Sequence, residues 1–326
     1  MGRDAVKLRY ASAPLEGVTT FVFRNTHYAL FGGADRYFLP FFSPAAEHLL
    51  TKKELRDLDP AHNTAPNLVP QVMTRKAEDF LWAAETLADL GYQEVNLNLG
   101  CPSGTVTAKG KGSGFLARPA ELEEFLDTVF ARCPLPVSLK TRLGFRDPEE
   151  FPALLDLFNR YPIAELTIHP RIREEFYWGE VHRDLFAYAM EHSRNPLCYN
   201  GDLVTAADCG ALLQEFPTLS SVMIGRGLAA DPALLRKVQG GAAASREELR
   251  TFTATLYEGY CSAYGQEGPA AQRMKELWFY LIHLFDGGEK QSKTMRRVKR
   301  PGDYERIEAS IFGELPLQEE ARGPLI

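Results

Sequence analysis

The chain has 326 residues, of which 45% are hydrophobic and 25% charged, an ordinary globular composition with length enough for a large core. It opens without the apolar run of a signal peptide, and no later stretch is long and apolar enough to cross a bilayer, so a cytosolic protein with no membrane partner is expected. The net charge of −6 speaks against nucleic-acid binding by overall charge, because Lys and Arg must neutralise phosphates, and leaves it open only where basic residues cluster.

Eight short apolar or β-branched runs read as strands, at residues 8–13, 36–39, 68–72, 94–97, 137–140, 165–168, 197–199 and 221–224. Between them, residues 76–90, 120–130, 149–160 and 205–216 carry apolar side chains at three- and four-residue spacing and read as helices. Strands alternating with helices imply a parallel sheet, and eight such units within about 240 residues fit a closed (β/α)8 TIM barrel. The competitor, an open doubly wound sheet, would be expected to carry Gly-x-Gly-x-x-Gly after its first strand, and Ala11–Gly17 is not such a turn. After Gly240 the strand signal stops, and residues 246–264, 270–285 and 303–312 read as helices. Residues 1–240 are therefore expected to form the barrel domain, and residues 241–326 a smaller helical domain.

Barrels carry their chemistry where strands end, and here those ends are rich in polar residues and glycine. The first runs into Pro14-Leu15-Glu16-Gly17, a βα turn, and the third ends at Gln71 after Pro70. In the fourth, Val95, Leu97 and Leu99 alternate with Asn96 and Asn98 before Gly100 and Pro102 leave Cys101 in a turn. A free cysteine is usually a small buried hydrophobe, but the turn formers Gly100, Pro102, Ser103 and Gly104 suit a reactive thiol better. Cys133, Cys198, Cys209 and Cys261 read as core residues; with no Cys-x-x-Cys pair, neither a metal nor a redox dithiol is expected. The glycine-rich loop after Cys101 adds Lys109 and Lys111.

The fifth strand ends in Lys140-Thr-Arg142, where a lysine leaving an apolar strand needs either a neighbouring carboxylate or a ligand's negative charge. His169, Arg171 and Arg173 follow the sixth, a pattern suited to anion recognition. Asn200-Gly201-Asp202 and Gly225-Arg226-Gly227 follow the last two strands, each before a helix whose first amides can hold a phosphate. Residues 290–300 hold six cations and no acid, which is either a solvated helix face or a contact for nucleic acid.

Asn98-Leu99-Gly100-Cys101-Pro102 resembles the active-site signature of the tRNA-dihydrouridine synthases, flavoenzymes with a proton-donating cysteine. Pro14-Leu15-Glu16-Gly17-Val18-Thr19 is similar to that family's segment beneath the flavin, with Leu15 in place of Met, and residues 169–174 are similar to its His-x-Arg motif. The resemblance implies reduction of the C5–C6 double bond of a uridine in tRNA, with FMN as cofactor and NADPH as reductant. Cys101 would protonate C5, and a thiol of ordinary pKa, about 8.5, keeps its proton near neutrality. It further implies FMN contacts from Pro14, Leu15, Glu16, Gln71, Lys140, His169, Asn200, Gly201, Asp202, Gly225 and Arg226. Asn98, Lys109, Arg142, Arg171 and Arg173 would face the substrate, with the helical domain holding tRNA around a base splayed out of the fold. A monomer is expected. Two alternatives stand beside this reading. One is an FMN barrel acting on a small molecule, such as a dihydroorotate dehydrogenase or an ene-reductase, which leaves the basic tail and the arginine pair without a role. The other is a catalytically silent tRNA-binding protein, which leaves Cys101, Lys140 and His169 without one.

Overall fold

The computed structural model describes residues 8–322. Nine strands form one sheet: β1 (Arg9–Ser12), β2 (Arg36–Phe38), β3 (Leu68–Val69), β4 (Gln71–Val72), β5 (Val95–Leu99), β6 (Val137–Arg142), β7 (Leu166–His169), β8 (Leu197–Tyr199) and β9 (Ser221–Ile224). Their spatial order is β3-β2-β1-β9-β8-β7-β6-β5-β4, and the pairings β1–β2, β2–β3 and β4–β5 through β8–β9 are parallel.

The two strands at the ends of that order, β3 and β4, are separated in sequence by Pro70 alone. They are two halves of the single strand expected at residues 68–72, one bonded to β2 and the other to β5, so the ring closes as an eight-stranded TIM barrel. Pro70 explains the break, because it has no N–H to donate to a ladder. Val69 still accepts from the Leu39 amide at 2.9 Å, and Pro70 accepts from the Asn96 amide at 2.9 Å on the other side.

Helices α1 (Phe21–Leu30), α2 (Lys52–Leu58), α3 (Ala77–Asp89), α4 (Gly104–Thr107), α5 (Pro119–Arg132), α6 (Phe151–Phe158), α7 (Arg183–His192), α8 (Ala206–Glu215), α9 (Arg226–Ala230) and α10 (Leu234–Val238) fall between or just after the strands. Local sequence accounts for them. Helix α3 buries Phe80, Leu81, Ala83, Ala84 and Leu87 along one stripe, and Glu78 and Asp79 complement the dipole in its first turn. Beyond the strands lie α11 (Arg246–Tyr264), α12 (Glu267–Leu281), α13 (Glu289–Met295) and α14 (Pro301–Glu314). Helix α11 starts at a Ser245/Glu248 capping box and stops at Gly265, which is left-handed at φ 66°.

The chain divides into two compact units. The first takes the described residues up to Pro14, then Asp35–Gly201 and Phe216–Met223; the second takes Leu15–Ala34, Asp202–Glu215 and the chain from Ile224 on. The second unit has its own core, in which Phe252, Leu256, Met274, Trp278, Tyr304 and Phe312 are buried together. In the first, the strand starts are tied by an ion network in which Arg36 bridges Glu94 and Glu165 and Arg9 also reaches Glu165. No helix among the described residues is long and apolar enough to cross a membrane.

The barrel interior has two unlike halves. Ala11, Ala13, Phe38, Val69, Cys198 and Met223, from β1, β2, β3, β8 and β9 with the residue after β1, make one apolar cluster. Strands β4 to β7 instead contribute Gln71, Asn96, Asn98, Ser138, Lys140, Arg142, Thr167 and His169. Register aligns these polar residues, with Gln71 opposite Asn96, Asn96 opposite Ser138, Asn98 opposite Lys140, Lys140 opposite Thr167 and Arg142 opposite His169.

Candidate active site

The polar half is wired from the bottom upward. Asn96 donates to the Ser138 hydroxyl at 2.9 Å and accepts from the Gln71 amide at 2.8 Å; the Gln71 carbonyl then accepts from the Asn98 amide at 2.7 Å. Buried amides of this kind are costly unless paired, and the pairing fixes which way each one points. Gln71 is thus oriented from both sides. Asn96, to which the sequence assigned no role, performs that orientation; its alternation with Asn98 was the available signal.

Asn98 also holds the cysteine turn. Its side-chain oxygen accepts from the backbone amides of Gly100 at 3.1 Å and Cys101 at 2.9 Å. From the other side the Cys101 carbonyl accepts from the Ser113 amide at 3.1 Å and the Ser113 hydroxyl at 2.8 Å. The glycines that precede Ser113 are therefore packing devices. Gly112 has φ +55°, and a Cβ there would stand 2.9 Å from the Cys101 carbonyl oxygen and 3.0 Å from its Cβ. Lys109 is exposed, and the half-buried Lys111 has its pKa lowered by burial and then, against the pull of Asp79, by Lys109, Lys76 and Arg75.

Burial pushes Cys198 and Cys209 up to about 12 and raises Cys133 and Cys261.

The ammonium of Lys140, which stands opposite Asn98 in the ladder, has no ion pair or hydrogen bond among the described residues. The neighbouring carboxylate considered from the sequence is not there. Burial, and then the Arg142 cation, lower its pKa to about 8. It is a cation in want of an anion.

Arg142 and Arg171 are built into the loops. Arg142 is 1% exposed; it donates to the Gly100 carbonyl at 2.9 Å and the Ile172 carbonyl at 3.0 Å and lies 5.2 Å from the Tyr177 ring centre. It joins the turn after β5 to the loop after β7. Arg171, also 1% exposed, donates to the Trp178 and Gly179 carbonyls and to His169 Nε2 at 3.2 Å. A guanidinium can only donate, so His169 accepts through Nε2 and its proton sits on Nδ1. The His169 ring also stacks with Tyr177, 5.9 Å between centroids. Arg173 lies between the rings of Phe145 and Phe176, 5.4 and 4.9 Å away, and donates to the Thr107 hydroxyl at 3.3 Å. Asn200 at the end of β8 donates to the Met223 carbonyl at 2.8 Å, and Gly201 follows it against Pro170 and Tyr199.

Gln71, Asn98, Cys101, Lys140, Arg142, His169, Arg171, Arg173, Asn200 and Gly201, with Pro14, belong to the first unit. Leu15, Glu16, Asp202, Gly225 and Arg226 belong to the second. There Leu15 closes a turn, its amide donating to the Thr19 hydroxyl at 2.8 Å, and Arg226, which opens α9 after Gly225, pairs with Asp202 at 2.8 Å.

A family model described as dihydrouridine synthase (Dus) matches residues 11–304. The chain is 32% identical over 242 residues to a "probable tRNA-dihydrouridine synthase 2" of Bacillus subtilis (strain 168), covering 72% of this chain and 73% of that one. It is 31% identical over 239 residues to a "probable tRNA-dihydrouridine synthase" of Staphylococcus epidermidis (strain ATCC 12228 / FDA PCI 1200), covering 69% and 70%. Among solved structures, a morphinone reductase (14% identity, TM-score 0.51, covering 75% of this chain and 88% of that one) shares the fold. So does histamine dehydrogenase from Rhizobium sp. 4-9 (13% identity, TM-score 0.54, covering 71% and 45%).

Proposed function

Given that the chain belongs to the dihydrouridine synthase family, we propose that it reduces the C5–C6 double bond of a uridine in tRNA, with FMN as cofactor, NADPH as reductant and Cys101 as the general acid. The observation that carries the cofactor is Lys140, whose ammonium stands without a counter-charge beside an oriented glutamine, asparagine and histidine. That set fits a flavin: Lys140 would face the ring's negatively charged edge, Gln71 would hydrogen-bond the ring, and His169, Asn200 and Gly201 would serve the ring or the phosphate. FMN, when bound, supplies the hydride for uracil C6.

The remaining work falls to the chain. Asn98 and Ser113 hold the backbone on either side of the Cys101 thiol, so the proton for C5 comes from a fixed point. Asn98 has an amide partner in Gln71 and would orient the uracil from there. A thiol that carries its proton at that point can deliver it as a general acid.

Replacing Cys101 tests the assignment. Cys101→Ala is expected to keep its bound flavin and its oxidation of NADPH by oxygen while forming dihydrouridine in unmodified tRNA about 10²–10⁴-fold more slowly. The flavin released by heat should chromatograph as FMN. Normal tRNA reduction by the variant, or release of FAD, overturns the reading.

A further inference from the structure

The loop between β7 and α7 contains a residue with no role in the chemistry above. The chain has three tryptophans. Trp278 is 1% exposed in the core of the second unit, and Trp82 stacks on His48 at 4.9 Å and 6°. Trp178 is 64% exposed, and among the described residues its indole has neither a ring contact nor a hydrogen bond. An aromatic surface of that size left in water calls for an explanation.

Its backbone, by contrast, is held as firmly as anything at this end of the barrel. The Trp178 carbonyl accepts from buried Arg171 at 3.1 Å, its amide donates to the Glu175 carbonyl at 2.8 Å, and the next carbonyl, Gly179, also binds Arg171. Phe176 takes a left-handed φ of +51°, rarely adopted by an aromatic residue, and Gly179 one of +71°. Tyr177, between Phe176 and Trp178, is stacked on His169 and lies under Arg142, whose side chain reaches the Gly100 carbonyl next to Cys101. The loop is strained and braced by a buried cation to fix the point from which one indole projects, on the face of the first unit where Cys101 lies.

We propose that Trp178 is a positioning residue on which an unpaired base of the tRNA, flanking the reduced uridine, stacks. This rests on the functional reading above. A ring braced at its backbone loses little freedom on stacking, and every base has a face that can use it. The loop's exposed charges favour a base over the sugar-phosphate chain: Glu174 and Glu180 would repel a phosphate and leave a neutral base unaffected, while Arg171 is buried on loop carbonyls and Arg173 is held between the Phe145 and Phe176 rings.

The test uses the flavin-loaded protein and an unmodified tRNA transcript. Trp178→Ala should raise the KM for tRNA by roughly 5- to 150-fold, the range of one missing base–aromatic stack, with flavin reduction by NADPH unchanged. Trp178→Phe, which retains a ring, should restore most of that loss. In the wild type, tRNA should shield part of the tryptophan fluorescence from acrylamide; in Trp178→Phe the shielded part should be gone. An unchanged KM in the alanine variant, an equal loss in the phenylalanine variant, or self-association that the alanine variant abolishes would each overturn the stacking role. A wild-type protein that binds no tRNA would instead overturn the functional reading beneath it.

Discussion

Lys140 is the residue whose surroundings most constrain the chemistry, because a lysine depressed to about 8 by burial opposes folding while it is charged. The sign follows from proton uptake: between about 8 and the ordinary lysine value of 10.5, the unfolded chain holds the proton and the folded one does not. The penalty is therefore fully present below pH 8 and relieved as pH rises toward 10.5. In flavin-free protein, the urea midpoint of the wild type relative to Lys140→Met should rise across that window and be flat below it. A constant difference would place the ammonium in better solvation than its neighbours allow. Residue identity at the barrel mouth was partly legible in the sequence. Cys101 was announced by its turn formers, but the inward course of Arg142 and Arg171 was not, since where an arginine goes depends on which loop carbonyls fold over it.

At the scale of elements, the segment from α4 to α5 shows how packing hides behind composition. It is rich in glycine, and Gly112 lies against Cys101 and Gly114 against the Thr107 backbone, where a Cβ would come within 2.7 Å of the carbonyl oxygen. Gly112→Ala would force a left-handed alanine into contact with the cysteine carbonyl and displace the turn that Asn98 and Ser113 hold. The expected result is dihydrouridine formation lowered at least about tenfold, the scale of a displaced catalytic group, with flavin content preserved because the contacts proposed for the ring lie on other strands. A variant of normal rate would show that the turn tolerates the shift. The strands themselves were legible because alternation and Gly/Pro punctuation mark them. The division of the third by Pro70 was not, since it arises from a change of bonding partner. Helix α13 was not separated from its basic run, because that run carries too few apolar residues for a helical stripe.

For the whole molecule, the net charge of −6 conceals a local excess of the opposite sign. Met295 and Val298 anchor residues 290–300 in the core of the second unit, while Lys290, Lys293, Arg296, Arg297, Lys299 and Arg300 are exposed, with Arg296 resting 4.9 Å from the Phe279 ring centre. Replacing Arg296, Arg297, Lys299 and Arg300 by Gln should weaken tRNA binding and flatten the dependence of log affinity on log salt by roughly 0.7 to 0.9 for each phosphate no longer neutralised. Flavin absorbance should not change. Weaker binding at an unchanged slope would point to damage in the helical core, and no change at all to a merely solvated face. The sequence located this cluster but not the unit that carries it, which also draws on residues 15–34 and 202–215, because long-range packing leaves no local periodicity.

The unequal halves of the barrel interior bear on the protein's fate in the cell. The apolar half seals itself and the amides of the other half pair with one another, whereas the Lys140 ammonium beside them has no counter-charge among the described residues. A guest that binds the folded chain alone adds RT ln(1 + [L]/Kd) to its stability, about 2.7 kcal/mol at a hundredfold excess over Kd. Proteases act on the transiently opened form, so if the flavin proposed above is that guest, the lifetime of this chain is tied to its supply, and a shortage would lower the amount of the protein as well as its turnover.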